Sequence, residues 1–462
     1  MQTMKLFFMA ALALMTAACS NSDNDILTPA EQPAKAQGIP FTATISMGES
    51  ASTRALTEDN VNNKIVATWA VNDKVALIHN GVKDEMTVSA VNAGVATITG
   101  TITGSPSGGD AVTIIYPSDA ADGTTGNVKS DWLSSQVGTL KGTSGTSIEE
   151  KYDVRKGSGA LNASGTSLDG TVSLTNQNAI FKLTLKDIDG TNDVSATSVV
   201  ISDQTGVVTT VTPASGYENA MYVALPTTAT TLKFLVTGSD SKKYFNMASS
   251  LTLSASYYQS TIKLATVGHV IASNGKCYKD NSAIPSGESA VAKIAYLGND
   301  AETSPTNTAF KNGLALALAD VALEDVSGTK WCSEDSKTCL PTQYSTAETA
   351  KAMGDMAGIA NTDALCSHAS HTHNAAKAAR DYSVTRPAGT SAWFLPSEGQ
   401  WYKMSEAAGG YEKLGLLSTA DGYWSSTESN AGSAWYYYDV NDGSWDDNSK
   451  ADKNQVRACL AF

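Results

Sequence analysis

Apolar and polar residues alternate at the start of the folded part of the chain. Phe41, Ala43, Ile45 and Met47 are separated by Thr42, Thr44 and Ser46, the two-residue period of a half-buried β-strand. Further strand-like runs are Val75-Ala76-Leu77-Ile78, Val95-Ala96-Thr97-Ile98 and Val112-Thr113-Ile114-Ile115-Tyr116. A Gly/Ser/Thr-rich stretch follows from Gly123 to Gly170, interrupted by Asp131-Trp132-Leu133. The pattern resumes at Ala179 to Leu185, Ser198 to Ile201, Leu232 to Val236 and Tyr257 to Leu264. Short strands with turn residues between them predict two β-sandwiches, over 39–155 and 156–267.

The pattern changes after 267. Ala292 to Leu297 and Gly313 to Asp320 read as strands. Ser345 to Met356 reads as a helix, with Ser345 as N-cap and Glu348 at capping-box spacing. A second helix is predicted over Asn374 to Tyr382, and a short third one after Ser397, its N-cap. The fold class is therefore mainly β, with two sandwiches followed by an α+β domain over 268–462.

Residues 1–19 read as an export signal. Met1 to Lys5 carries one lysine, and Leu6 to Met15 is an apolar run too short to span a bilayer. Thr16-Ala17-Ala18-Cys19 places small residues before a cysteine, as a lipoprotein signal peptidase requires, so Cys19 is the expected lipidation site. The alternative is an ordinary secretory signal with an incidental cysteine. Residues 20–38 form a polar tether. Its start, Ser20-Asn21-Ser22-Asp23-Asn24-Asp25, resembles the surface-export signal of Bacteroidetes lipoproteins, which implies display on the outer membrane. No later segment is long and apolar enough to be a transmembrane helix.

A net charge of −14 over 462 residues argues against nucleic acid and anionic membranes as partners. Beyond Cys19, the cysteines are Cys277, Cys332, Cys339, Cys366 and Cys459, an odd number in a compartment that permits disulfides. Cys332 with Cys339 could close a small loop, and Cys366 with Cys459 is a second pairing. No pair has CxxC spacing, so no zinc site is expected. His368, His371 and His373 are close in sequence, but their polar context reads as a solvated loop. No GxSxG elbow, HExxH helix or P-loop occurs, and no enzyme activity is expected.

Phe41-Thr42-Ala43, Ser52-Thr53-Arg54-Ala55 and Trp69 ahead of Asn72-Asp73-Lys74-Val75-Ala76-Leu77 occur in that order. With Tyr116-Pro117 and Phe181-Lys182-Leu183, they resemble Bacteroidetes fimbrillins over roughly residues 39 to 265. The resemblance implies a type V pilus subunit made as a lipoprotein precursor. It also implies trimming by an Arg-specific protease at Arg54, and a vacated groove that accepts a strand from the next subunit. A shaft subunit of that kind also donates a C-terminal strand. Here Gln455 to Phe462 alternates like a strand inside a fold, so the expected position is the fimbrial tip. A standalone binding lipoprotein that never polymerises is the competing reading.

Trp393-Phe394-Leu395-Pro396-Ser397-Glu398 and Tyr423-Trp424-Ser425-Ser426-Thr427 carry a second resemblance over residues 268–462. It is to the C-type-lectin-like domain of Legionella collagen-like adhesins and Bacteroidetes surface proteins, and it implies a ligand-binding head. The expected ligand-binding residues are Trp435, Tyr436, Tyr437, Tyr438, Asp439, Asn441, Asp442, Trp445, Asp446, Asp447 and Asn448. Large rings among short polar groups suit recognition. A strand alternates its side chains between faces, so some rings of the Tyr436-Tyr437-Tyr438 run are expected to face outward or to cover a loop. Asp439, Asn441, Asp442, Asp446 and Asp447 could also supply oxygens to calcium, although the spacing is not that of an EF-hand. The ligand, a host or bacterial surface protein or glycan, is not specified.

Overall fold

The first alternating segment forms a strand, Ile39–Ser46, with Phe41, Ala43, Ile45 and the adjoining Met47 buried. The computed structural model describes residues 38–47, 57–59, 64–142, 146–214, 216, 218–248, 252–302, 309–323, 325–334, 336–416, 422–438 and 445–462. Cys19, the tether to residue 37 and Arg54 lie outside the described residues. Among those described, no helix is long and apolar enough to cross a membrane.

Strand Ile39–Ser46 pairs antiparallel along its whole length with Val95–Ile102. It belongs to an eight-stranded sheet that also holds Lys74–His79, Val82–Asn92, Ala111–Tyr116 and Arg155–Ala160. The segment 172–176 brings the two ends of this sheet together. Val172–Ser173 pairs parallel with Ile45–Ser46, and Thr175–Asn176 pairs antiparallel with Arg155–Lys156. A side chain at Gly157 would meet the Ser173 carbonyl oxygen at 2.6 Å, so this closure needs glycine there. The enclosed core contains Trp69, packed edge-on against Tyr116 at 5.2 Å.

A second group of strands over 178–264 forms a three-stranded sheet and, with Ser135–Gln136 as its fifth strand, a five-stranded sheet. The change of sheet falls between Asn176 and Asn178. Arg155–Ala160 belongs to the first sheet, and Ser135–Gln136 reaches forward to pair with Thr210–Val211 of the second group. Gly/Ser/Thr-rich composition therefore marks strand and cap segments here as well as loops.

The last group begins at Val270. A five-stranded sheet contains Val270–Ala272, Cys277–Tyr278, Ala290–Leu297, Gly313–Ala317 and Cys459–Ala461. The closing strand pairs with Leu314–Leu316 and is fully buried. Helices are Thr349–Ala352, Gly358–Ser367, Asn374–Arg380 and Glu398–Ala408. The first continues a 3₁₀ turn, Thr346–Glu348, capped by Ser345 as the sequence predicts. Leu235, Phe245 and Met247 share one apolar cluster with Ile271, Val291 and Phe462. The Phe245 and Phe462 rings are 4.5 Å apart, and Lys233 Nζ donates to the Ala309 carbonyl at 2.6 Å. The second group and the C-terminal module are thus packed through apolar contact.

Candidate functional site

Three strands, Gly422–Glu428, Ser433–Tyr438 and Trp445–Ser449, form a separate antiparallel sheet in the C-terminal module. Its outer strand pairs Trp445 with Tyr437, Asp446 with Tyr436, Asp447 with Trp435 and Asn448 with Ala434. The described residues of the expected binding segment therefore lie side by side in this sheet.

The rings do not face outward. Trp435, Tyr436 and Tyr437 are 1%, 8% and 1% exposed. Tyr437 stacks on Trp401 of helix Glu398–Ala408, with centroids 5.6 Å apart and planes 12° apart. Tyr436 faces the opposite side, against Trp424 at 6.0 Å. Trp435 Nε1 donates to the Tyr344 carbonyl. Alternation requires an exposed ring only where one face of the strand is open, and at Tyr436 and Tyr437 both faces are covered. These three residues build the wall behind the site. Tyr438 is placed in the strand by its backbone, and Asp439, Asn441 and Asp442 lie outside the described residues.

What the sheet presents is the outer strand. Trp445 is half-buried, 4.8 Å from the Tyr437 ring and 5.8 Å from Tyr402. Asp446 is exposed, and Asp447 and Asn448 are half-exposed. Asn430 Nδ2 lies 3.4 Å from Asp447 Oδ2. This is a short polar ridge with one ring at its end, able to accept hydrogen bonds from a ligand and stack against it. Among the described residues, Asp446 and Asp447 do not gather with a third acidic group into a cation cluster.

The two most specific sequence motifs interlock behind this ridge. Ser397 caps helix Glu398–Ala408 in a capping box with Gln400. The Glu398 amide donates to Thr427 Oγ1 at 2.9 Å, and that hydroxyl donates to Asp355 Oδ2 at 2.7 Å. The Ser426 amide donates to the Pro396 carbonyl at 2.8 Å. Glu398 is fully buried, with Ser425 as the polar side chain at its carboxyl and no well-aligned hydrogen bond to either oxygen. Burial pushes its carboxyl up to about 8, so it is held protonated. Burial also raises Asp355, against the opposing hydrogen bonds from Thr427, the Ala357 amide and Asn361. These motifs are scaffold for the ridge and do not line it.

The sequence reading is corrected at the histidines and cysteines. His373 is 2% exposed and His371 half-buried, not solvated. Their ligating atoms lie with those of Cys332 and Cys339 within 4.8 Å of one another. All five cysteines in the described residues are free. Cys366 is exposed at the end of helix Gly358–Ser367, and Cys459 is fully buried in the closing strand, so their pairing has no support. A cleft of about 710 Å³ also opens beside the second group of strands, with Lys263, Lys276, Lys279 and Asp189 on its walls.

No family model matches the chain, and no curated protein matches it. Among solved structures it is similar to a fimbrial protein from Bacteroides ovatus ATCC 8483. That match has 14% identity, covers 92% of this chain and 100% of the other, and has a TM-score of 0.32. It is also similar to a fimbrial assembly protein from Parabacteroides distasonis ATCC 8503. There the identity is 12%, the coverage 48% of this chain and 90% of the other, and the TM-score 0.27. TM-scores this low do not carry function from those proteins to this one.

Proposed function

We propose that this protein is a surface-displayed lipoprotein of a fimbria, serving as an adhesin at the tip. In this reading Cys19 carries the lipid before assembly, and cleavage after Arg54 frees the first strand. A strand from the next subunit then takes its place. The C-terminal module is the ligand-binding head, presenting Trp445, Asp446, Asp447 and Asn448.

One observation carries the reading. Strand Ile39–Ser46 buries Phe41, Ala43 and Ile45 and is paired along its whole length on one edge, while its other edge meets the chain only at intervals, through Val172–Ser173, the Leu174 amide and the Thr166 carbonyl. Such a strand is a plug. Its removal bares backbone groups and an apolar groove walled by residues such as Trp69, Ile98 and Leu174, and that groove invites a replacement strand. Each large side chain seated there contributes about 1.5–3 kcal/mol. The strand Cys459–Ala461, by contrast, is buried between Leu314–Leu316 and Phe394. It cannot be donated without unfolding the head.

The test is immunogold electron microscopy of whole cells with an antibody to residues 268–462, paired with N-terminal sequencing of the surface form. Label at filament ends and a mature chain beginning at Ala55 are expected. Even label over the outer membrane, with residues 39–54 retained, would replace this reading with a standalone binding lipoprotein.

A further inference from the structure

We propose that Cys332, Cys339, His371 and His373 form a structural zinc site that ties together two irregular loops of the C-terminal module.

The four ligands come from segments with little secondary structure of their own. Cys332 follows the two-residue strand Thr329–Lys330, and Cys339 lies in the irregular run that leads to Thr346. His371 and His373 sit between helices Gly358–Ser367 and Asn374–Arg380. Long irregular loops in a compact module need an anchor. The protein already holds these loops close together. The Ser333 amide donates to the Thr372 carbonyl at 2.8 Å, and the Thr372 amide to Ser333 Oγ at 3.0 Å. Glu428 fixes the other segment by accepting from the amides of Cys339 and Leu340 at 2.9 and 2.7 Å.

The distances suit a metal. With Zn–S bonds of about 2.3 Å and Zn–N bonds of about 2.0 Å, ligand atoms of a tetrahedron stand roughly 3.3–3.8 Å apart. Cys339 Sγ and His371 Nε2 are already 3.4 Å apart. The whole set lies within 4.8 Å, so a contraction of about 1 Å completes the tetrahedron. His371 Nδ1 lies 2.8 Å from Ser370 Oγ, the outer hydrogen bond that orients a ligating imidazole. Cys332 Sγ accepts from the Glu334 amide at 3.5 Å.

His373 supplies an independent argument. Its ring is 2% exposed, packs edge-on against Trp331 at 5.5 Å, and neither ring nitrogen makes a well-aligned hydrogen bond, the Cys332 thiol being its polar neighbour. A buried polar group left unpaired costs about 1–3 kcal/mol, and a metal bond to one ring nitrogen removes that nitrogen's share. A Cys332–Cys339 disulfide would satisfy the sulfurs and leave His373 as it is. Two thiolates neutralise a divalent ion, and Lys450, 4.0 Å from Cys339 Sγ, is balanced by Glu428. The site therefore buries no net charge. Mixed sulfur and imidazole ligands select zinc over calcium and magnesium, which prefer oxygen.

The test uses the full chain, purified with zinc supplied and without chelator. Elemental analysis and native mass spectrometry are expected to find one zinc per chain. A strong chelator is expected to lower Tm and open Cys332 and Cys339 to alkylation, and zinc alone to reverse both changes. Cys339→Ser combined with His371→Ala should cut zinc retention about tenfold or more, while Cys366→Ser retains it. Should the double variant misfold, cobalt loaded into the unaltered chain gives the intense visible bands of a tetrahedral sulfur–nitrogen site. A metal-free chain with a mapped Cys332–Cys339 disulfide, or cobalt spectra of octahedral type, overturns the proposal.

Discussion

Lys450 Nζ lies 2.5 Å from Glu428 Oε1, and both side chains are completely buried. The ammonium also donates to the Lys337 and Ala431 carbonyls at 2.8 and 2.9 Å and sits 5.0 Å from the Trp331 ring centre. The carboxylate accepts from the amides of Cys339 and Leu340. One ion pair thus joins the end of strand Gly422–Glu428 to the loop that carries Cys339. Removing one partner strands a buried charge, which costs about 3–5 kcal/mol. Lys450→Met and Glu428→Gln are each expected to lower stability by that amount in denaturant titration. The double variant should recover part of the loss. Additive losses would show that the two charges are not coupled.

Arg155 performs a similar task for the first strand. Its Nη1 donates to the Met47 carbonyl at 3.2 Å, while Nε binds Asp153. The clamp sits at the exit of the plug strand, just before the segment that holds Arg54. A hydrogen bond to a charged group contributes about 1.5–3 kcal/mol. Arg155→Met should therefore speed amide exchange across residues 39–47 by about tenfold or more. Cleavage by an Arg-specific protease should speed up in parallel. Unchanged exchange in the variant would mean that strand pairing alone holds the plug.

The first strand was readable because from Phe41 to Met47 its buried positions are all apolar and the positions between them all bear hydroxyls. Helix Gly358–Ser367 was not, because its buried stripe contains Gly358 and Thr362 beside Ile359 and Leu365. Thr362 is buried because its hydroxyl accepts from the Leu395 amide, a partner far along the chain. The same reason hid the cysteine–histidine cluster. Cys339 and His371 are brought together by Glu428 and by the Ser333–Thr372 bonds, so no local spacing announces them. The aromatic run misled in the other direction. Its composition suits recognition, yet Trp401 and Trp424 cover its two faces.

Burial separates two roles that composition merged. Trp435→Ala removes a fully buried ring and should cost about 3–5 kcal/mol whether or not a ligand is present. Asp446→Ala and Asn448→Ala alter the outer strand, where surface changes usually stay within about 0.5 kcal/mol. They should leave Tm nearly unchanged while weakening adhesion of labelled head-bearing protein to its target cells. Adhesion lost only with Trp435→Ala, in step with unfolding, would exclude the outer strand as the contact surface.

Glu398 gives the head a pH dependence of definite sign. Its carboxyl is raised from an ordinary 4.5 to about 8, first by burial and further by the charge of Asp355, against the opposing Ser425 hydroxyl. Between those values the folded chain holds a proton that the unfolded chain has released. Stability from this group is therefore complete below about pH 4.5 and declines as pH rises towards 8. The slope is at most about 1.4 kcal/mol per pH unit for one proton. Glu398→Gln keeps the shape and removes the titration, so its stability advantage over the unaltered chain should grow steadily from pH 5 to pH 8. Asp355 remains in both proteins, and subtracting the two curves isolates Glu398. A difference that stays constant across that range would mean that the carboxyl is solvated in the folded head, and would remove the packed junction between Glu398 and Thr427 from the account of its stability.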